Sequence, residues 1–486
     1  MFDRLKENKN TFPTFVGISF FLLVLRNLKI YDAGSVLLFF YLLATLFFNY
    51  YGIHKNYNYL LRLYYLLSFA LLVFYRSPEI FIFGRFFAEE GSVYWSYALA
   101  NDYSDIIQYL VPPGGYFTLN INLAMILVKI LPISYAPFIT TYLSLFIAVL
   151  PAFFVYKYNF LRLNNVENNY LFGLYIFLHS SHWPEVTLNS INSQVYLGIL
   201  VFLIITFGLK NNKTKFRFIE QIILFISFLS TFYAVVQFPI ILIRYLKEKN
   251  NYLLFTLLSA FFTSSIQSLV FFFSRSNSIL YFEKANDLPG LRYIYNTFVE
   301  SFLLNILSVK FFKLSVSIFI VAAFFILYFL KNRFEINLSV LILLNIALQL
   351  LLVVIGQAGV YFSDRYAVVL PTVAFTFVLL VLRNQSLKYF KIIIVFFFLL
   401  NVGFFTFHDS SFTTKFFYSC SESCILWSQQ LENNIIYHWP VGGDWTTDLI
   451  KPKPNPAYFQ IDTFNFDYEK YYDYKLSDMF KEIFDN

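Results

Sequence analysis

Two adjacent carboxylates, Glu89 and Glu90, stand just after an arginine and just before a glycine in the stretch Gly84-Arg85-Phe86-Phe87-Ala88-Glu89-Glu90-Gly91-Ser92-Val93-Tyr94-Trp95-Ser96-Tyr97. One carboxylate base is enough to move a sugar off a lipid phosphate, because phosphate already leaves readily and needs no general acid. Glycoside hydrolysis normally needs two spaced carboxyl groups instead. A positioned base contributes about 10² to 10⁴ in rate, which makes Glu89 or Glu90 the candidate catalytic residue and Arg85 a candidate for the phosphate. The competing reading is an acidic, solvated loop. Ser92 is a good N-cap, so a helix is expected to start there, with Tyr94, Trp95 and Tyr97 in an interfacial belt.

A second polar run is His182-Trp183-Pro184-Glu185-Val186-Thr187-Leu188-Asn189-Ser190-Ile191-Asn192-Ser193-Gln194. A carboxylate, several amides and an aromatic ring suit sugar hydroxyls and a ring face. His182, Trp183, Glu185, Asn189, Asn192 and Gln194 are therefore candidate sugar- or acceptor-binding residues. An ordinary loop whose asparagines cap helices stays open beside that reading. His179, His182 and Glu185 are spaced for a metal, but Pro184 would disturb a helix there and the usual two-histidine zinc spacing is absent. No metal site and no cofactor are assigned, and a divalent ion on Glu89 or Glu90 stays open.

In Ser363-Asp364-Arg365-Tyr366 a helix N-terminus and an arginine both favour phosphate, so Arg365 is a candidate for a lipid phosphate, with a snorkelling interfacial arginine as the alternative. In the tail, Tyr437-His438-Trp439-Pro440-Val441-Gly442-Gly443-Asp444-Trp445 could hold an acceptor glycan through Trp445. Packing of the tail onto the rest of the chain explains the same aromatics. The only cysteines, Cys420 and Cys424, are either a small-loop disulfide or a free pair.

The elements that must position these residues are legible in the composition. Of 486 residues, 58% are hydrophobic and 13% charged, where a soluble domain carries about 25% charge; the mean hydropathy is +0.60. Apolar segments suited to spanning helices fall near 15–30, 33–52, 58–75, 135–156, 168–181, 193–209, 217–232, 235–247, 251–273, 313–331, 335–357, 366–383 and 388–406. The expected class is an all-α polytopic transmembrane bundle of about 11 to 13 spans.

Short Lys/Arg clusters between these segments satisfy the positive-inside rule with the N-terminus in the cytoplasm and the C-terminus outside, although Arg26 and Lys29 at an outer turn run against it. The net charge of +7 is spread over those clusters and forms no nucleic-acid face. On this topology, segments 77–134 and 274–312 are large outer loops of a membrane domain over 1–406, and 407–486 is an extracytoplasmic tail. The cytoplasmic loops are too short for a Rossmann-type unit of roughly 30 residues or more, and no Walker sequence is present.

With an acidic pair followed by glycine in the first large outer loop, the chain resembles the GT-C class of integral membrane glycosyltransferases. Similar Glu and Asn runs, and an Arg-Tyr pair such as Arg365-Tyr366, occur in bacterial proteins resembling that class. The resemblance implies an inverting hexosyltransferase in the bacterial inner membrane, its site facing the periplasm. A polyprenyl-phosphate sugar would be the donor and a glycan or lipid-linked acceptor, such as O-antigen or another lipopolysaccharide part, would receive the sugar. Glu89 or Glu90 would be the base, with Arg85, Arg365 and Tyr366 at the donor phosphate. An O-antigen polymerase and a flippase or transporter of lipid-linked sugars are the rival readings. The amides inside the spans, Asn345, Gln349 and Asn401, in place of charges, count against the transporter.

Overall fold

The computed structural model describes residues 84–111 apart from 85 and 88, 116–158, 173, 176, 188–208 and 214–276, positions within 341–348 and 369–376, and the tail pieces 427–432, 435–438, 446–453 and 473–485. This part of the chain is mostly helical. Two helices, α4 (Ala136–Tyr158) and α9 (Asn251–Ser276), are long and apolar enough to cross a membrane. At 1.5 Å per residue, 23 residues reach about 34 Å, more than the roughly 30 Å of a hydrocarbon core.

Their surfaces fit that length. The exposed side of α9 carries Phe255, Leu258, Phe261, Phe262 and Phe272, and that of α4 carries Tyr142 and Phe146. Hydroxyls on both helices turn back onto carbonyls one turn earlier, as Ser144 does to Thr140 (2.7 Å) and Thr263 to Ser259 (2.7 Å). A polar group that satisfies itself inside its own helix asks nothing of its surroundings.

Between these two helices the chain runs in shorter pieces: α5 (Gln194–Phe207), α6 (Thr214–Phe228), α7 (Phe232–Val235) and α8 (Phe238–Glu248). The segments expected as spans over 193–209, 217–232 and 235–247 are thus helices of 14, 15 and 11 residues, roughly 16 to 23 Å long. Hydropathy alone overextends them. Ser230 and Thr231 lie in the turn that separates α6 from α7, and Pro239 opens α8. The helix α5 is buried on every side up to Thr206. Gly198 lets Tyr233 of α7 lie against it, since a β-carbon there would stand 2.8 Å from that tyrosine's own. Its C-terminal turn is met by Arg244 of α8, which donates to the Ile205 carbonyl and pairs with Glu248 at 2.8 Å. A cation at that end complements the helix dipole.

Residues 173 and 176, and those described within 341–348 and 369–376, are helical, in keeping with the segments expected there. The expected spans over 15–30, 33–52, 58–75, 313–331 and 388–406, the outer loop 274–312 beyond the end of α9, and the two cysteines lie outside the described residues.

The region 77–134 holds more structure than a loop. A π-helical turn, Glu90–Trp95, runs into α1 (Ser96–Ala100), then α2 (Tyr103–Gln108) and the buried helix α3 (Leu119–Ile130). Lys129 of α3 donates to the Ala98 carbonyl at 2.9 Å and to that of Asn101, which caps the end of α1. Two expectations are corrected here. The helical turn begins at Glu90, and Ser92 is wholly buried inside it, because Glu90 N–H already closes onto the Phe87 carbonyl (2.8 Å). Tyr94, Trp95 and Tyr97 form no interfacial belt: they are at most 4% exposed and sit in a core with Phe86, Ile121 and Met125.

That core is completed from the tail. Trp427, on α10 (Trp427–Gln430), meets Trp95 edge-on at 5.4 Å, and Ile436 lies in the hairpin of β1 (Ile435–Tyr437) and β2 (Thr446–Asp448), paired Ile435↔Asp448 to Tyr437↔Thr446. The last helix, α11 (Leu476–Asp485), buries Met479 against Leu110, Phe117 and Val270, and Leu110 N–H donates to the Tyr474 carbonyl at 3.1 Å.

Candidate functional site

The site is assembled from three chain segments that meet at Glu90. The first is the π-helical turn that begins with Glu90, together with Glu89, the residue just before it. The second is the turn Asn189–Ser193 leading into α5, and the third is the N-terminal turn of α3 with Asn120.

Glu90 is 1% exposed and its carboxylate is held on both oxygens. One oxygen accepts the Ser190 N–H at 2.9 Å together with the Ser190 hydroxyl, and the other accepts the Phe87 N–H at 3.2 Å. Burial raises its pKa to about 7, opposed by the hydrogen bonds from Ser190, Phe87 and Thr140. Desolvation of the charged form outweighs the donors, which places its titration at neutral pH. Glu89 is half-buried beside it, and its charge helps burial to push the Tyr94 phenol up. That neutral phenol meets the Thr118 hydroxyl at 3.0 Å.

Asn120 ties the second segment to the third. Its Nδ2 donates to the Ser190 carbonyl (2.6 Å) and to the Ser193 hydroxyl (3.1 Å). The first turn of α3 is fixed in turn by the α6–α7 junction: Leu119 N–H donates to the Leu229 carbonyl (3.0 Å) and Asn120 N–H to the Ser230 hydroxyl (2.9 Å). These contacts satisfy orphan amides that any helix start carries. Next to them, the Gln267 side chain of α9 clamps both polar backbone atoms of Phe117, at 2.9 Å to N and 2.8 Å to O. One of the two long apolar helices therefore braces the site.

Of the residues expected at the site from sequence, Glu89, Glu90, Asn189, Asn192 and Gln194 are described: the Glu90–Ser190 hydrogen bonds join the two runs that carry them, and Gln194 donates to the Tyr116 hydroxyl at 2.7 Å. Asn189 builds the turn itself, its Oδ1 accepting the Ile191 N–H at 2.8 Å. Arg85, His182, Trp183, Glu185, Arg365, Tyr366 and Trp445 lie outside the described residues. Among the described residues no three His, Cys, Asp or Glu side chains gather as metal ligands would.

Sequence reasoning missed Asn120. The signal was two asparagines, Asn120 and Asn122, at the start of an otherwise apolar helix, where a buried amide needs a partner to be tolerated. It also missed what the glycine after the acidic pair is for. A β-carbon on Gly91 would lie 2.4 Å from the ring of His438. That ring is itself fixed by Thr447 (2.7 Å), and both Thr447 and Ser96 donate to the Gly91 carbonyl, at 3.2 and 3.1 Å. The tail thus closes over the backbone of the acidic turn.

No family model, no curated protein and no solved structure matches the chain.

Proposed function

We propose that this chain is an inverting glycosyltransferase of the bacterial inner membrane, moving a sugar from a polyprenyl-phosphate donor to a cell-envelope glycan on the periplasmic face. On this reading the membrane domain is a polytopic bundle of about 11 to 13 spans. Phosphate leaves without protonation, so the chemistry asks for one base that reaches the acceptor hydroxyl, held still in a water-poor site.

The observation that carries the reading is the hydrogen bonding of Glu90 to Ser190. It joins the two polar runs whose residue types suit sugar transfer, 100 positions apart in the chain. The two carboxylates then divide the work. Glu90 is sealed in and saturated with donors, so it positions the turn. Glu89, half-buried beside it, takes the proton of the acceptor hydroxyl as that oxygen bonds the anomeric carbon from the opposite face and the anomeric carbon to phosphate oxygen bond breaks, the phosphate leaving with the electron pair. Arg85, Arg365 and Tyr366 are assigned to the departing lipid phosphate, and His182, Trp183, Glu185 and Trp445, with the amides of the second run, to the sugars.

The test is transfer from a radiolabelled polyprenyl-phosphate sugar to glycan in membranes carrying matched amounts of wild type, Glu89→Gln or Glu90→Gln. Loss of transfer by about 10² or more in Glu89→Gln is expected, with a smaller loss in Glu90→Gln. Full activity in Glu89→Gln would remove the base, and no transfer by wild type from any such donor would remove the glycosyltransferase reading.

A further inference from the structure

Among the described residues, Asn120 and Asn189 each keep one buried amide atom without a partner. Asn120, 4% exposed, commits Nδ2 to the Ser190 carbonyl and the Ser193 hydroxyl, and its Oδ1 accepts nothing. Asn189, 1% exposed, commits Oδ1 to the Ile191 N–H, and its Nδ2 donates to nothing. Both flank Ser190, whose own N–H and hydroxyl go to Glu90.

The two atoms are of opposite sense, a bare acceptor and a bare donor beside one serine. Leaving either buried and unpaired is costly, so the chemistry of the group that suits both is informative. A phosphate or carboxylate would be repelled by Asn120 Oδ1, an ammonium by Asn189 Nδ2, and an apolar group satisfies neither. A hydroxyl both donates and accepts, and the neighbouring hydroxyls of a pyranose offer both senses at adjacent positions.

We propose that Asn120 and Asn189 form a binding pair for sugar hydroxyls, Asn120 Oδ1 accepting from one and Asn189 Nδ2 donating to one, and so hold a neutral pyranose at the Glu90–Ser190 junction. The choice of a pyranose as the hydroxylated ligand rests on the sugar-transfer reading above. The pair reads the sugar and leaves the phosphate to the arginines. It also gives the buried carboxylate a second purpose: through Ser190 it fixes the backbone from which Asn189 reaches the ligand.

The experiment uses full-length protein in lipid nanodiscs, titrated by saturation-transfer NMR with the methyl glycosides of glucose, galactose, mannose and N-acetylglucosamine, and with prenyl phosphate as the anionic control. Asn189→Ser is the decisive variant, because serine keeps an oxygen for the Ile191 N–H and removes the amide Nδ2 that reaches the ligand, its own hydroxyl sitting shorter on the chain. Asn120→Ala is the second, and thermal melts confirm that each compared protein is folded. Binding of at least one glycoside that weakens about tenfold in either folded variant, with prenyl phosphate unaffected, is the expected result. Unchanged glycoside affinity in Asn189→Ser, or no glycoside bound by folded wild type, would overturn the assignment and leave a buried solvent site in its place.

The two readings fail separately. Wild type that binds glycosides through the pair yet transfers nothing from a polyprenyl-phosphate donor keeps this inference and loses the transferase. Transfer that proceeds with an unchanged sugar KM in Asn189→Ser does the reverse.

Discussion

His438 lies so close to Gly91 that a β-carbon on the glycine would stand 2.4 Å from its Nδ1. The residue after the acidic pair is therefore small because the tail occupies the space, and the position of Glu89 and Glu90 depends on a side chain almost 350 residues downstream. Gly91→Ala is expected to cost about 1 to 3 kcal/mol by overpacking. His438→Ala opens the space, so the double variant should lose less than the sum of the two, by roughly 0.5 kcal/mol or more. Denaturant melts of the four proteins measure this, and additive losses would mean that the two residues do not share the contact.

Glu90 gives a pH dependence of stability with a definite sign. Its folded pKa of about 7 lies above the 4.5 of an ordinary glutamate, so between those values the folded protein holds a proton that the unfolded chain releases. Stability from this group is greatest below pH 4.5, falls as pH rises to about 7, and is flat above. The fall is on the order of 3 kcal/mol. In Glu90→Gln it should vanish, so the variant gains on wild type between pH 5 and 8. Parallel stability curves for the two proteins would show that Glu90 does not hold that proton.

Gln237 and Asn345 exchange amide hydrogen bonds at 3.2 and 2.6 Å, both side chains wholly buried. Each amide satisfies the other, which allows a pair of buried polar side chains, one in the turn before α8 and one on a helix, in an apolar surrounding. Asn345→Leu alone should cost about 1 to 3 kcal/mol by stranding the glutamine, whereas Gln237→Leu with Asn345→Leu should come close to neutral. Thermal melts of single and double variants separate these outcomes.

The end of the tail is tied down by Lys475, 3.0 Å from Asp105, and by Met479, which is fully buried. The ion pair is about a quarter exposed on each side, so Lys475→Ala should cost under about 1 kcal/mol and less at high salt. Met479→Ala removes buried apolar volume and should cost roughly 2 to 5 kcal/mol. Limited proteolysis of the tail should follow the same order.

Much of this was written in the sequence. Composition and runs of Phe, Leu and Ile gave long helices at 136–158 and 251–276 close to where hydropathy put them, because the need to keep backbone amides paired in an apolar medium acts locally. Residue type alone also picked out Glu89, Glu90 and the run ending Asn189-Ser190-Ile191-Asn192-Ser193-Gln194 as the places where polar chemistry gathers.

Tertiary structure decided the rest, since it depends on contacts between residues far apart in the chain. Hydropathy does not see that Ser230 and Thr231 sit in a turn, so it overextended the short helices around them. Nor could residue spacing distinguish the environments of Glu89 and Glu90. Neighbours in sequence, they differ because the side chain of one enters the core and meets Ser190, while the other stays half in reach of its surroundings. Tyr94, Trp95 and Tyr97 read as an interfacial belt until Trp427 and Ile436 arrive from the tail to bury the same core, and aromatic side chains bury as readily as they sit at a boundary.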